Sequence, residues 1–183
     1  MSRKSVVVIL LCLWTASALT AAGPSPQKTP GAPGREQTTH LQRGLASFEQ
    51  GFYEMLPKGR RAEAEDAFVT AVRELELALE AEPNNVRAHR TLARVHSLRK
   101  DHSAAAAHYR RLTEIDPFDV DAYVLAAVSL VEAGRFDEAR IELERAKGRT
   151  ADARALALLD SYLAKLAEAE RKTGPPEGRG DGR

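Results

Sequence analysis

Apolar positions in the middle of the chain recur at spacings of three and four residues, which indicates amphipathic helices. They lie at Ala88, Leu92 and Val95 in residues 86–99, and at Ala105, Tyr109 and Leu112 in residues 103–115. Neither stretch can bury its apolar face alone, so each needs a partner helix to cover it. The pattern therefore predicts short helices that pack in pairs.

This pattern has a period of 34 residues. The segment 82–88, EPNNVRA, returns as DPFDVDA at 116–122. Three sets of small or apolar positions keep the same spacing: Ala71, Ala105 and Ala139; Leu75, Tyr109 and Leu143; Ala78, Leu112 and Ala146. A fixed period of this length is typical of stacked helical hairpins, in which each hairpin covers the apolar face of its neighbour.

Polar residues, prolines and a glycine mark the ends of these predicted helices. Asn85 and Asp119 are suited to the N-cap position, because their side chains can accept hydrogen bonds from amides of the first turn. Pro83 and Pro117 prevent the preceding helices from continuing. Gly134 lies where the chain must leave a helix. The caps and breaks thus repeat with the hairpins.

The repeats resemble the tetratricopeptide repeat family, whose signature is W-x2-L-G-x2-Y, then A-x3-F, then P. The second copy reads His89-x2-Leu92-Ala93-x2-His96, Ala105-x3-Tyr109 and Pro117. The third reads Tyr123-x2-Ala126-Ala127-x2-Leu130 and Ala139-x3-Leu143, with Ala151 where proline is expected. An earlier copy keeps Ala71-x3-Leu75 and Pro83, but its first helix, predicted at 41–56, is out of register. The resemblance implies an all-α fold, a short right-handed α-solenoid of about three hairpins with a C-terminal capping helix at 152–171.

The first 22 residues have the three-part layout of a secretory signal peptide. Arg3 and Lys4 precede an apolar run at 6–14, and small residues follow at 16–18 and 20–22. An uncleaved membrane anchor is the alternative, because residues 6–22 are largely apolar. We expect a periplasmic or secreted protein that contacts a membrane only if the signal is uncleaved.

Composition divides the remainder into three parts. Residues 23–38 contain four prolines and three glycines, which predicts a flexible linker. Residues 39–171 form the expected helical repeat domain. Residues 172–183, with two prolines and four glycines, predict a disordered tail.

Charge and cysteine content exclude several classes of function. The chain has 27 basic and 26 acidic residues, and 25 and 26 without residues 1–22, a balance that does not favour nucleic-acid binding. The only cysteine, Cys12, lies in the predicted signal, so the mature chain has no cysteine chemistry. No G-x-S-x-G, H-E-x-x-H or phosphate-binding glycine loop is present. We therefore expect no enzyme activity, no cofactor and no metal.

Four histidines of the second repeat are the candidates for metal chemistry: His89, His96, His102 and His108. His89 and His96 are about 10 Å apart along one helix, too far to share a metal directly. Both occupy positions that members of the family commonly fill with packing aromatics. The alternative function is an accessory subunit of an envelope enzyme, or a metal-binding protein that uses these histidines.

By resemblance, a ligand is expected on the concave surface formed by the first helix of each hairpin. In the second repeat this surface carries Arg87, Arg90 and Arg94, which lie on one side of the helix. In the third repeat it carries Asp121, Val124, Val128, Val131 and Glu132. Arginines beside an apolar strip suit a protein segment with acidic and apolar residues. The alternative is that the arginines are merely solvated and the valines are buried against the next hairpin.

These features predict a non-catalytic exported adaptor or scaffold that binds a segment of an envelope or secreted partner in its groove. Self-association is a further alternative, because an incompletely capped solenoid exposes an apolar end that another copy can cover.

Overall fold

The computed structural model describes residues 35–173. The predicted signal peptide at 1–22, most of the predicted linker and the tail beyond residue 173 lie outside the described residues. The first helix begins at Arg35, so the last four residues of the predicted linker, 35–38, are helical. Within residues 35–173, no helix is long and apolar enough to cross a bilayer.

The described residues form seven α-helices joined by short turns. They are α1 (Arg35–Glu49), α2 (Arg61–Ala81), α3 (Val86–Leu98), α4 (His102–Ile115), α5 (Val120–Glu132), α6 (Phe136–Lys147) and α7 (Ala153–Thr173). A π-helical segment, Gln50–Met55, and a 3-10 turn, Leu56–Lys58, continue α1. Each helix packs against the next one, and α1 also contacts α3. The prediction of three stacked hairpins followed by a C-terminal helix is confirmed.

The predicted N-caps are present at both repeated positions. The Asn85 side chain accepts a hydrogen bond from the Ala88 amide at 3.0 Å. The Asp119 side chain accepts one from the Ala122 amide at 3.1 Å. Each cap satisfies an amide that the first helical turn leaves without a partner, which fixes the start of α3 and of α5.

The turns inside the second and third hairpins have the same backbone geometry. Gly134 has φ +76°, and Lys100, the equivalent residue in the second hairpin, has φ +63°. The amide after each donates to the carbonyl five residues earlier at 2.8 Å. Glycine adopts this left-handed conformation freely, whereas a lysine there is strained.

Small residues allow the helices to approach closely, and leucines fill the space between them. Four alanines at the helix crossings are at most 2% exposed: Ala93, Ala105, Ala127 and Ala139. The largest fully buried apolar side chains include Leu75, Leu92, Leu130 and Leu159. Full burial of one such leucine contributes about 1.5–3 kcal/mol to stability. Because these leucines lie on α2, α3, α5 and α7, the core extends through every hairpin and onto α7.

The first hairpin is longer than the other two. Its second helix has 21 residues, whereas α4 has 14 and α6 has 12. A Cβ atom on Gly44 would lie 2.6 Å from Leu75 Cγ, and one on Gly51 would lie 2.8 Å from the Phe68 ring. Both glycines therefore allow α1 and its π-helical continuation to pack tightly on α2. The extra length on both sides of the turn explains why this repeat is out of register in the sequence.

A buried ion pair connects the second and third hairpins. Glu142 on α6 is 0% exposed, and its Oε1 accepts a hydrogen bond from Arg110 Nε of α4 at 2.7 Å. Arg145 donates to the same oxygen at 3.2 Å. A buried carboxylate without such partners is strongly destabilising, so Glu142 depends on this link between α6 and α4.

Candidate docking site

Three arginines on α3 form the surface that we call the arginine face: Arg87, Arg90 and Arg94. They follow one another at helical spacings of three and four residues, on the side of α3 away from buried Leu92. The structure thus brings together the three arginines that the sequence predicts as one face. Their surroundings differ, and this difference decides what each can contribute.

Arg87 and Arg90 are both exposed to solvent. Arg87 makes no ion pair with any residue of the described range. Arg90 Nη2 lies 2.8 Å from Asp119 Oδ2, and the Arg90 side chain remains 51% exposed. An ion pair this exposed contributes about 0.2–1 kcal/mol. It therefore orients the Arg90 side chain but is weak enough for Arg90 to exchange Asp119 for a carboxylate of a partner.

Arg94 lies over two aromatic rings of the first hairpin. Its guanidinium carbon is 4.8 Å from the ring centroid of Phe48 and 5.5 Å from that of Phe52. The two rings stack on each other at 5.6 Å. Tyr53, which is 62% exposed, meets Phe52 edge-on at 4.8 Å and extends this aromatic surface toward solvent. Arg94 is therefore held in place by cation–π contacts between hairpins.

The aromatic partners of Arg94 were not found from the sequence. Helical spacing relates residues of one helix, whereas Phe48 and Phe52 belong to a hairpin whose register is shifted. The closely spaced aromatics at 48, 52 and 53 were the available signal. The packing of α1 on α3 is what makes them part of this site.

The apolar strip predicted on α5 is only partly available. Val124 and Val131 are half-buried and pack against the core formed by the third hairpin and α7. Val128 is also half-buried, and Asp121 is exposed. The structure thus places two of the three valines where burial against neighbouring helices accounts for them. The exposed character of the predicted site is concentrated on α3.

The histidines of the second hairpin form a stack between α3 and α4. His89 is 7% exposed, and its Nε2 lies 2.9 Å from the Pro83 carbonyl oxygen. Its Nδ1 lies 3.1 Å from His108 Nδ1. The His96 ring stacks on His108 at 5.5 Å. Burial, together with the neighbouring charges of His89 and His96, lowers the pKa of His108 from 6.5 to about 4.

These contacts are those of packed imidazoles. In the part of the chain that the structure describes, no group of three or more His, Cys, Asp or Glu side chains could hold a metal ion.

A shallow depression of about 330 Å³ lies between the end of α1 and the start of α2, lined by Met55, Glu63 and Asp66 among others. None of the predicted site residues lines it.

Comparison with known families identifies the class of protein. A family model described as tetratricopeptide repeat matches residues 62–119 and 98–166, more than half of the chain. The chain therefore belongs to the tetratricopeptide repeat family. This fold is generally a non-catalytic scaffold for protein–protein interaction, and nothing in the match points to enzymatic activity.

Several solved structures have a similar fold, among them the following three. The first TPR of Spaghetti (RPAP3) bound to an HSP90 peptide has 17% identity, with 68% of this chain and 95% of that chain covered at a TM-score of 0.44. The C-terminal TPR-containing domain of a Plasmodium falciparum FK506-binding protein has 21% identity, 72% and 95% coverage, and a TM-score of 0.43. MamA from MSR-1 has 18% identity, 73% and 90% coverage, and a TM-score of 0.42. No curated protein sequence matches this chain significantly.

Proposed function

We propose that this protein is an exported, non-catalytic adaptor that binds a segment of an envelope or secreted partner on the arginine face. The observation that carries the proposal is the alignment of three arginines on the exposed side of α3, with Arg87 lacking any ion pair in the described chain. Membership of a family that generally serves protein–protein interaction supports a protein as the partner.

The surroundings of the three arginines favour a partner of one kind. Arg87 has no ion-pair partner in residues 35–173, and a guanidinium in this state can bind a carboxylate through two parallel hydrogen bonds. Near Arg94, the rings of Phe52 and Tyr53 offer apolar surface. A partner could place an acidic side chain against the Arg87 guanidinium and an apolar side chain against the aromatic surface near Tyr53. We therefore expect a partner segment that contains acidic and apolar residues.

The Arg94 side chain favours binding because it is ordered before a partner arrives. Cation–π contacts with the rings of Phe48 and Phe52 restrict it in the free protein. A flexible side chain loses about 0.5–1.5 kcal/mol of conformational free energy when an interface immobilises it. Arg94 has lost part of that freedom in the free protein.

Site-specific photocrosslinking in the native host tests this surface. A photoreactive residue replaces Arg87 in one variant and Ile141 in a matched control, because Ile141 on α6 is also exposed, at 48%. We expect a discrete crosslinked protein from the variant at position 87 and none from the control at position 141. Equal crosslinking from both positions, or none from position 87, contradicts the proposal.

Export is supported by the layout of residues 1–22, with its basic start, apolar run and small residues. The mass of the protein isolated from the envelope and culture medium tests it. We expect a chain that begins near residue 19 or residue 23, after one of the two small-residue triplets. A full-length chain that sediments with membranes would instead establish the uncleaved anchor, and a full-length chain in the cytoplasm would exclude export.

A further inference from the structure

The three hairpins place a titratable side chain at the same interior position of their second helices. These residues are Glu74, His108 and Glu142, each 34 positions from the next. In the first hairpin, Glu74 is 5% exposed, and its Oε2 lies 2.7 Å from Nδ1 of His40 on α1. Hydrogen bonds from His40 and Arg73 lower the pKa of Glu74. The first hairpin thus pairs an imidazole with a carboxylate.

The second hairpin pairs an imidazole with another imidazole at this position. The Pro83 carbonyl can only accept, so His89 Nε2, at 2.9 Å, must be the protonated nitrogen of neutral His89. His89 Nδ1 then carries a lone pair, and His108 Nδ1 donates to it across 3.1 Å. Only one proton fits between the two Nδ1 atoms.

We propose that the stack of His89, His96 and His108 makes the second hairpin acid-sensitive, because a further proton on His89 or His108 drives α3 and α4 apart. A proton added to His89 Nδ1 places two N–H groups against each other unless His108 moves its own proton to Nε2, and in either arrangement it buries a positive charge. A proton added to His108 keeps that bond but buries a positive charge beside two other imidazoles. Either event opposes the packing of α3 on α4.

In the described chain, no carboxylate forms an ion pair with His89 or His108. Asp101 Oδ2 lies 3.5 Å from His96 Nδ1, within ion-pair distance, although the Asp101 side chain is 55% exposed. The other nearby carboxylates are held by other partners: Glu74 of α2 by His40 and Arg73, Asp119 before α5 by Arg90, and Glu138 and Glu142 of α6 by Arg110. The neighbouring groups that lower the pKa of His108 are His89 and His96, whose charges oppose a charge on His108.

The direction of the pH effect follows from linkage. The pKa of His108 is about 4 in the folded protein and 6.5 in an exposed histidine, so the unfolded chain binds a proton that the folded chain rejects between these values. Stability from this group is complete above pH 6.5 and decreases as the pH falls toward 4. Between pH 7.5 and 5.5 the folding equilibrium constant should fall about tenfold from this group alone.

Urea unfolding of the full chain, followed by circular dichroism at pH 7.5 and 5.5, tests the proposal. His108→Gln removes the titrating ring while its amide can still donate to His89 Nδ1. We expect the folding constant of the normal protein to fall about tenfold more than that of His108→Gln over this range. His102→Gln is the matched control, since it removes an imidazole from the same helix outside the stack, and it should behave like the normal protein.

A third variant, His108→Glu, gives the second hairpin the imidazole–carboxylate pair of the first. Its folding constant should hold or rise as the pH falls to 5.5, which reverses the sign of the effect.

Hydrogen exchange of the normal protein, corrected for the intrinsic pH dependence, should show lost protection at pH 5.5 in residues 86–115 and retained protection in 136–147. The proposal is overturned if His108→Gln keeps the full pH dependence, if His102→Gln loses it equally, or if protection falls uniformly along the chain.

Discussion

The second and third hairpins are built to the same plan and differ in what their first helices expose. Leu92 on α3 and Leu130 on α5 are both fully buried, and both helices start at an acidic or amide N-cap. The exposed side of α3 carries arginines, whereas the corresponding side of α5 carries valines that are half-buried. Two of these valines, Val124 and Val131, pack against the core cluster that the third hairpin shares with α7. An apolar strip on a solenoid helix is thus a docking surface only where no neighbouring helix uses it.

The largest loss of stability should come from changing the buried leucine that the first helix of each hairpin carries. Leu92→Ala and Leu130→Ala should each lower the free energy of unfolding by about 2–5 kcal/mol, because each leaves a cavity in a fully packed interior. Urea unfolding measures both. A cost below about 1 kcal/mol for either variant would show that its hairpin is loosely packed and would break the equivalence.

The two turns should respond to substitution in opposite directions. Gly134→Ala should destabilise by about 1–2 kcal/mol, because it forces a side chain into the left-handed conformation at φ +76°. Lys100→Gly should stabilise by about 0.5–1 kcal/mol, because it relieves that strain at φ +63°. Thermal unfolding of both variants decides this. A destabilised Lys100→Gly would mean that the lysine side chain contributes more than its backbone strain costs.

The exposed faces of α3 and α5 should differ in their contribution to stability. Val131→Ala should cost about 1 kcal/mol, because Val131 packs on the core beside α7. Arg87→Ala should change stability by less than about 0.5 kcal/mol, because Arg87 is exposed and makes no ion pair in the described chain. Chemical denaturation compares them directly. The reverse ranking would assign the packing role to α3 and leave the valines free.

The smallest effect concerns the contact that orients Arg90. A double-mutant cycle of Arg90→Ala and Asp119→Asn should give a coupling energy of about 0.5 kcal/mol or less at 0.15 M salt. Asp119→Asn keeps an oxygen for capping α5, so the cycle separates the ion pair from the cap. A coupling near 2 kcal/mol would mean that Arg90 is committed to Asp119 and is unavailable to a partner.

The helices and their order could be predicted from the sequence because the 34-residue period places similar apolar faces at regular intervals. Asn85, Asp119 and Gly134 fulfil the roles predicted for them. These roles depend on local backbone chemistry, which a residue and its immediate neighbours determine. The left-handed Lys100 was missed because lysine gives no local signal for that conformation, although it stands 34 residues before Gly134.

The candidate site was predictable only where its members share one helix. The arginine face was found through spacing along α3. Its contact with Phe48 and Phe52 depends on the shifted first hairpin, and the contact of His89 with His108 depends on how α3 meets α4. Tertiary contacts of this kind are set by packing between elements, which a single periodicity does not report.

The central claim is that the arginine face binds a protein partner, and quantitative affinity capture from the native host tests it most directly. Three tagged proteins are compared: the normal chain, a variant with Arg87, Arg90 and Arg94 changed to Glu, and a control with Arg61, Arg149 and Arg154 changed to Glu. The control makes the same change in net charge at exposed arginines elsewhere on the described surface. Circular dichroism first establishes that all three are folded. We predict one envelope or secreted protein retained by the normal chain and the control and lost from the arginine-face variant. Equal retention by all three proteins, or equal loss from both variants, would contradict the claim.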